Sequence, residues 1–159
     1  MTAVPTSCVI DASVCMKLFL REPLSERADV LFSLLGEDPF ARIYVPALLY
    51  AECGQILWKY VREYGYPIED ARENLIQFEE IALSRLAISD LVSQALEIAL
   101  EYGVTVYKAC YIAAARALNV PLVTASKRLV RRFVGTGDSI IWLGDIEVSS
   151  GTKERVGRL

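Results

Sequence analysis

Short apolar runs alternate along this chain with longer stretches in which apolar side chains return at helical spacing, the pattern of strands alternating with helices. The first run, Ser7-Cys8-Val9-Ile10, stops on Asp11 and passes into the small residues Ala12 and Ser13. A buried strand that ends on a carboxylate fits a parallel α/β sheet, whose carboxyl ends face the ligand crevice. Asp11 fits equally well as the N-cap of the helix that follows. Local sequence leaves both readings open.

Further along, a helix is expected over 12–20, broken by Arg21-Glu22-Pro23. A second runs from Ser25, a good N-cap, to a close at Gly36. A strand at 42–45 leads through Pro46 into a helix over about 47–64 that carries Glu52 early and ends at Gly65. Pro67 opens another helix, with Glu69 and Asp70 in its first turn. These two consecutive helices form an arm whose apolar faces are candidates for a partner or dimer surface, core packing being the default. A third strand at 85–88 precedes a helix capped by Ser89 or Asp90 and closed at Gly103. A helix over 106–118 ends at Asn119, and an apolar strand occupies 120–124. Ser126 caps a short basic helix over 127–133, and a turn at 135–138 leads to a last strand at 139–143.

The expected fold class is therefore α/β, a three-layer α/β/α sandwich with a parallel central sheet, in one domain over 1–148 followed by a polar tail over 149–159. Its strand ends would bring together Asp11, the start of the Glu52 helix, the start of the 106–118 helix and the Ser126 turn.

Composition narrows the chemistry. At 159 residues and 53% hydrophobic content the chain can bury a core without disulfides or a structural metal. Charged residues interrupt every long apolar run and no signal-peptide pattern opens the chain, so a cytoplasmic protein without membrane association is expected. Histidine is absent, which excludes imidazole triads and His-ligated zinc or haem. The four cysteines are scattered and read as reduced and buried. A net charge of −3 gives no global attraction for nucleic acid. Lys127, Arg128, Arg131 and Arg132 form the one local basic candidate, which reads otherwise as a solvated helix face. The Gly-Thr-Gly at 135–137 lacks the following long helix that a phosphate cradle needs. Tyr107, Tyr111, Trp58 and Trp142 offer rings for base stacking or for the core.

Four blocks in order carry a family resemblance: Val9-Ile10-Asp11-Ala12-Ser13-Val14; Val45-Pro46-Ala47-Leu48-Leu49-Tyr50-Ala51-Glu52; the block from Val106 to Ala115; and the block from Pro121 to Leu129. Together they resemble the PIN-domain family, especially its VapC-type toxins. The resemblance implies an acidic cluster that binds Mg²⁺ or Mn²⁺ and cleaves RNA, and in toxins a homodimer with a small antitoxin partner. Such ions choose oxygen ligands, lower the pKa of a bound water and shield charge on the phosphodiester.

By that resemblance Asp11 and Glu52 are the first two acids and the remaining metal ligands, with Ser13 orienting Asp11 or a water. Lys108 and Ser126 stand where the third and fourth acids belong. No Asp or Glu lies between Glu101 and Asp138, so no shift of alignment restores them. The four positions then carry −1 rather than about −4, and ion affinity should fall sharply. Lys108 can face solvent, hold a phosphate, or stand between Asp11 and Glu52 as an ammonium in place of the metal. The last best accounts for a lysine beside two carboxylates. Two functions follow as expectations: a degenerate PIN domain that binds RNA or protein, or a VapC-like ribonuclease still using Asp11 and Glu52 with weakly held Mg²⁺.

Overall fold

A computed structural model describes residues 1–148; the tail expected over 149–159 lies outside the described residues. Five strands, β1 (Ser7–Ile10), β2 (Arg42–Pro46), β3 (Ser84–Leu86), β4 (Leu122–Thr124) and β5 (Ile140–Trp142), form one sheet in the order β3-β2-β1-β4-β5, every pair parallel. The strand order reverses between β1 and β4. In an open parallel sheet that reversal opens a crevice at the carboxyl ends of the two strands. Asp11 follows β1 and Ala125 follows β4, so the crevice lies where the sequence pattern places the chemistry.

Helices α1 (Ala12–Cys15), α2 (Ser25–Glu37), α3 (Leu48–Tyr64), α4 (Ile68–Glu80), α5 (Val92–Tyr102), α6 (Val106–Leu118) and α7 (Lys127–Arg132) flank this sheet. The α6 helix packs on β1, β2 and β4, and its alanines explain how it can come so close. Ala109, Ala113 and Ala114 are fully buried, with Cys110, Tyr111 and Ile112 beside them. Val9, Ile10, Val45, Leu122 and Val123 supply the buried sheet. In the arm, Phe78 of α4 stacks on Tyr50 of α3 with ring centroids 4.7 Å apart, while Trp58, Tyr64, Ile68 and Ile76 remain exposed.

Several expected boundaries move for local reasons. The 12–20 helix is one α-turn, α1, followed by a 3₁₀ turn at Met16–Leu18. Ser25 does not cap α2: Leu24, in the left-handed region at φ 77°, takes the cap position. The Ser25 hydroxyl instead accepts from the Glu22 N–H and donates to the Leu20 carbonyl. Neither Ser89 nor Asp90 caps α5, because Ile88–Asp90 closes a 3₁₀ turn that also shortens β3. At the start of β4, Pro121 has no N–H to pair and the Val120 N–H is drawn to Ala115 at the end of α6, so the strand begins at Leu122.

An ion pair holds the amino-terminal side of β5 to α6. Arg116 donates through Nε and Nη2 to both carboxylate oxygens of Asp138, at 2.7 and 2.9 Å, and the Thr136 hydroxyl adds a third donor. The Arg116 hydrogen bonds hold the Asp138 carboxyl below its usual range. A carboxyl lowered in the native state stabilises the fold above its unfolded pKa of about 3.9, and that stability is lost as pH falls through the native value. Asp138→Asn should therefore cost about 2 kcal/mol at neutral pH. Denaturant titrations at several pH values should show the gap to wild type closing on acidification; a gap independent of pH would refute the assignment.

Candidate functional site

Asp11 leaves β1 with extended backbone and sits at the N-cap of α1. Its Oδ1 accepts from the Ser13 N–H at 3.0 Å, the Ser13 hydroxyl at 2.5 Å and the Val14 N–H at 3.3 Å. Its Oδ2 accepts from the Thr124 hydroxyl at 2.5 Å. Both readings of the sequence thus hold together: the carboxylate caps the helix and is delivered to the crevice. The network continues across the sheet's reversal, because the Ser13 hydroxyl also accepts from the Ala125 N–H at 2.9 Å and the Thr124 hydroxyl accepts from the Ser126 N–H at 3.1 Å. Ser126 then caps α7 through the Leu129 N–H at 3.2 Å. Burial raises the Asp11 pKa, and the four donors only partly oppose it.

Glu52 lies in the first turns of α3 and is half-buried. The Tyr111 hydroxyl donates to its Oε1 at 2.9 Å. Burial again raises the carboxyl pKa; Tyr111 lowers it, the Asp11 charge raises it, and Lys108 lowers it. The two acids therefore share one electrostatic field.

Lys108 does not stand between them. It is exposed, one turn before Tyr111 on α6, and forms no ion pair within 4 Å of either carboxylate. The physical reason is its place in the helix. Lys108 lies in the first turn of α6, which Thr105 caps by accepting from the Lys108 N–H, and at this open end of the helix its side chain reaches solvent and acts on Glu52 only at longer range. In its place Tyr111 and Thr124 satisfy the two acids. Their only signal in the sequence was polarity at the end of an apolar strand and on an otherwise apolar helix face.

The donor set does not fit a divalent ion caged by protein carboxylates. Both Asp11 oxygens already accept protein donors, and Glu52 is held by Tyr111. Among the described residues, no three His, Cys, Asp or Glu side chains gather in one place.

Elsewhere, Arg128, Arg131 and Arg132 line an open depression of about 560 Å³ on α7. Lys127 instead lies over the Trp142 ring, 4.0 Å from its centroid, so that ring face is taken. Tyr111 is core, whereas Tyr107 and Trp58 are exposed. All four cysteines are free and buried, and burial pushes the Cys8 thiol up to about 12. Burial raises Cys110 likewise, so neither thiol is activated. No helix among the described residues is long and apolar enough to cross a membrane.

An α/β domain with a parallel sheet, a carboxylate at the strand-order reversal and a second acid on a neighbouring helix defines the class. The chain belongs to the PIN domain family, which matches residues 8–133. It is 32% identical over 130 residues to Ribonuclease VapC3 of Pyrobaculum aerophilum, covering 79% of this chain and 93% of that protein. Solved structures share the fold. PAE2754 from Pyrobaculum aerophilum superposes with a TM-score of 0.62 at 23% identity, over 90% of this chain and 93% of that one. The VapBC2 structure from Rickettsia felis, bound to a DNA fragment from the promoter, gives 0.59 at 15% identity, over 89% and 99% of the two chains. A toxin-antitoxin complex from Klebsiella pneumoniae gives 0.56 at 14% identity, over 84% and 95%. The family is thus VapC-like, and the acidic cluster expected of it is not assembled among the described residues.

Proposed function

We propose that this protein is a VapC-like PIN domain in which metal-dependent RNA cleavage is impaired or lost, and that it acts in the cytoplasm by binding RNA. The observation that carries the reading is the engaged state of Asp11, whose two oxygens serve four protein donors, with no third acid gathered beside Asp11 and Glu52 among the described residues. In the proposed site Ser13 orients Asp11, and Lys108 and Ser126 occupy the positions of the missing acids. Mg²⁺ or Mn²⁺ binds weakly or not at all. The exposed Lys127, Arg128, Arg131 and Arg132 supply the local positive face that an overall acidic chain needs for a phosphate backbone. The toxin-antitoxin complexes among its structural relatives support a small antitoxin-like partner. Exposed apolar residues on the α3–α4 arm support a homodimer.

The second reading, a ribonuclease using Asp11 and Glu52 with water-rich Mg²⁺, draws support from the relative named a ribonuclease and from the common field of the two acids. Calorimetric titration with Mg²⁺ and Mn²⁺, run beside an RNA cleavage assay and fluorescence anisotropy with labelled RNA, separates the two. RNA should bind, with no saturable metal binding and no cleavage. Saturable metal binding with cleavage abolished by Asp11→Asn would establish the second reading instead.

A further inference from the structure

The remnant acidic site does not end at its acids. Glu52, Ile56 and Tyr60 follow one another at four-residue spacing on α3 and so share a helix face. Asp11 is followed on its side by Ser13, Met16 and Lys17. Between these two walls lies an open cavity of about 260 Å³, whose lining also includes Ala125 and Ser126 after β4. The space is thus a direct extension of the crevice at the sheet's reversal.

Its walls and its polar groups differ in character. Met16, Leu20, Ile56 and the Tyr60 ring make the lining largely apolar. At one side Lys17, with only 14% of its side chain exposed, pairs with Glu22 at 2.7 Å, and the Tyr60 hydroxyl donates to the other Glu22 oxygen at 2.5 Å. Burial pushes the Glu22 carboxyl up, but the hydrogen bonds from Lys17 and Tyr60 outweigh it and keep the group ionised. An ammonium has three donors and a carboxylate about four acceptor positions, so each member of the pair has capacity left over. A free anion would meet the Glu22 charge, and a hydrocarbon would leave Lys17 and Glu22 without new partners. A flat heteroaromatic ring whose edge carries both acceptors and N–H donors matches the apolar walls and the mixed edge together.

We infer that this cavity is a nucleobase subsite, which takes one unstacked base of an RNA strand whose backbone passes Ser13 and Ser126. The inference rests on the RNA-binding reading and deepens it. Single-stranded RNA is read by splaying bases into such slots against aromatic side chains. Ser126 can contribute as well, since its Oγ accepts from Leu129 and its O–H is left to donate.

Methyl resonances of Met16 and Ile56 report on the cavity directly. Adenosine or uridine 5′-monophosphate should shift both saturably, and ribose 5-phosphate, which lacks the base, should not. Ile56→Trp, which puts an indole into the space, should weaken nucleotide binding about tenfold at unchanged melting temperature, and Glu22→Gln, which removes the charged edge without adding bulk, should weaken it by a similar factor when read well below a melting temperature lowered by loss of the Lys17 ion pair. In an oligoribonucleotide, one abasic position should cost a similar factor. Equal shifts from ribose 5-phosphate would overturn the base assignment, as would shifts produced by N-acetyl-asparaginamide and not by nucleotides, which would mark a peptide slot. If labelled RNA binds while the methyls stay still, the subsite is refuted and RNA binding stands. If nucleotides fill the cavity but no oligoribonucleotide binds, the subsite stands and RNA binding falls.

Discussion

Replacing Asp11 by alanine should destabilise the protein by about 3 kcal/mol, with no RNA or metal present. The expected size follows from the number of groups the carboxylate serves. Two backbone N–H groups at the start of α1 and the hydroxyls of Ser13 and Thr124 all end on its two oxygens. Alanine leaves those part-buried donors without their acceptor, and an unpaired buried donor costs more than a hydrogen bond is worth when made. For a chain of this size the melting temperature should fall by roughly 10 °C. Asparagine should cost much less, because its carbonyl oxygen still accepts from α1 and the Thr124 hydroxyl can turn to receive its amide. The pH dependence has a definite sign. Burial raises the native Asp11 pKa above the unfolded value of about 3.9, so the native state takes up its proton first. Wild type should therefore gain stability relative to Asp11→Asn as pH falls through that raised value. Chemical denaturation of the three proteins checks the series; an alanine variant as stable as wild type would refute the network's structural role.

The second large effect is a gain. Lys108→Asp combined with Ser126→Asp should raise Mn²⁺ affinity by about two orders of magnitude, since two carboxylates replace a cation and a neutral hydroxyl around the existing pair. Ser126→Asp keeps the cap on α7, because aspartate accepts from Leu129 as well as serine does, so the fold should tolerate the change. Lys108 is exposed and, among the described residues, has no ion-pair partner within 4 Å, so its replacement disturbs no packing there. Calorimetry with Mn²⁺ on the single and double variants is the check. If the double variant binds no more metal than wild type, the geometry of the crevice has drifted along with its charges.

The long periodic elements could be read from the residues alone. For α3 and α6 the apolar spacing and the stops at Gly65 and Asn119, both left-handed in the structure, agree with expectation. The short elements were harder to read. Over nine residues after Asp11 the spacing of apolar side chains does not separate an α-turn from a 3₁₀ turn, and Ser25 has the chemistry of a cap but spends its hydroxyl on Glu22 and Leu20. At the site, the four family blocks placed Asp11, Glu52 and Ser126 in one neighbourhood because parallel strands must end there. What they could not give was direction. Whether Lys108 turns inward depends on a flexible side chain at the open end of α6, and the partners that satisfy the acids, Thr124 and Tyr111, come from segments far away in sequence.

The Asp11 network also bears on which acids such a pocket can lose. A residue that anchors a helix start and ties two halves of a sheet together is required by the fold, whether or not a reaction is performed beside it. Positions 108 and 126 carry no comparable burden: one faces solvent, and the other needs only a short polar side chain to cap a helix. Were selection on cleavage relaxed, the fold would oppose substitution least at the second kind of position. The presence of Asp11 is therefore poor testimony that the chemistry survives, and the identities of residues 108 and 126 are the better witnesses.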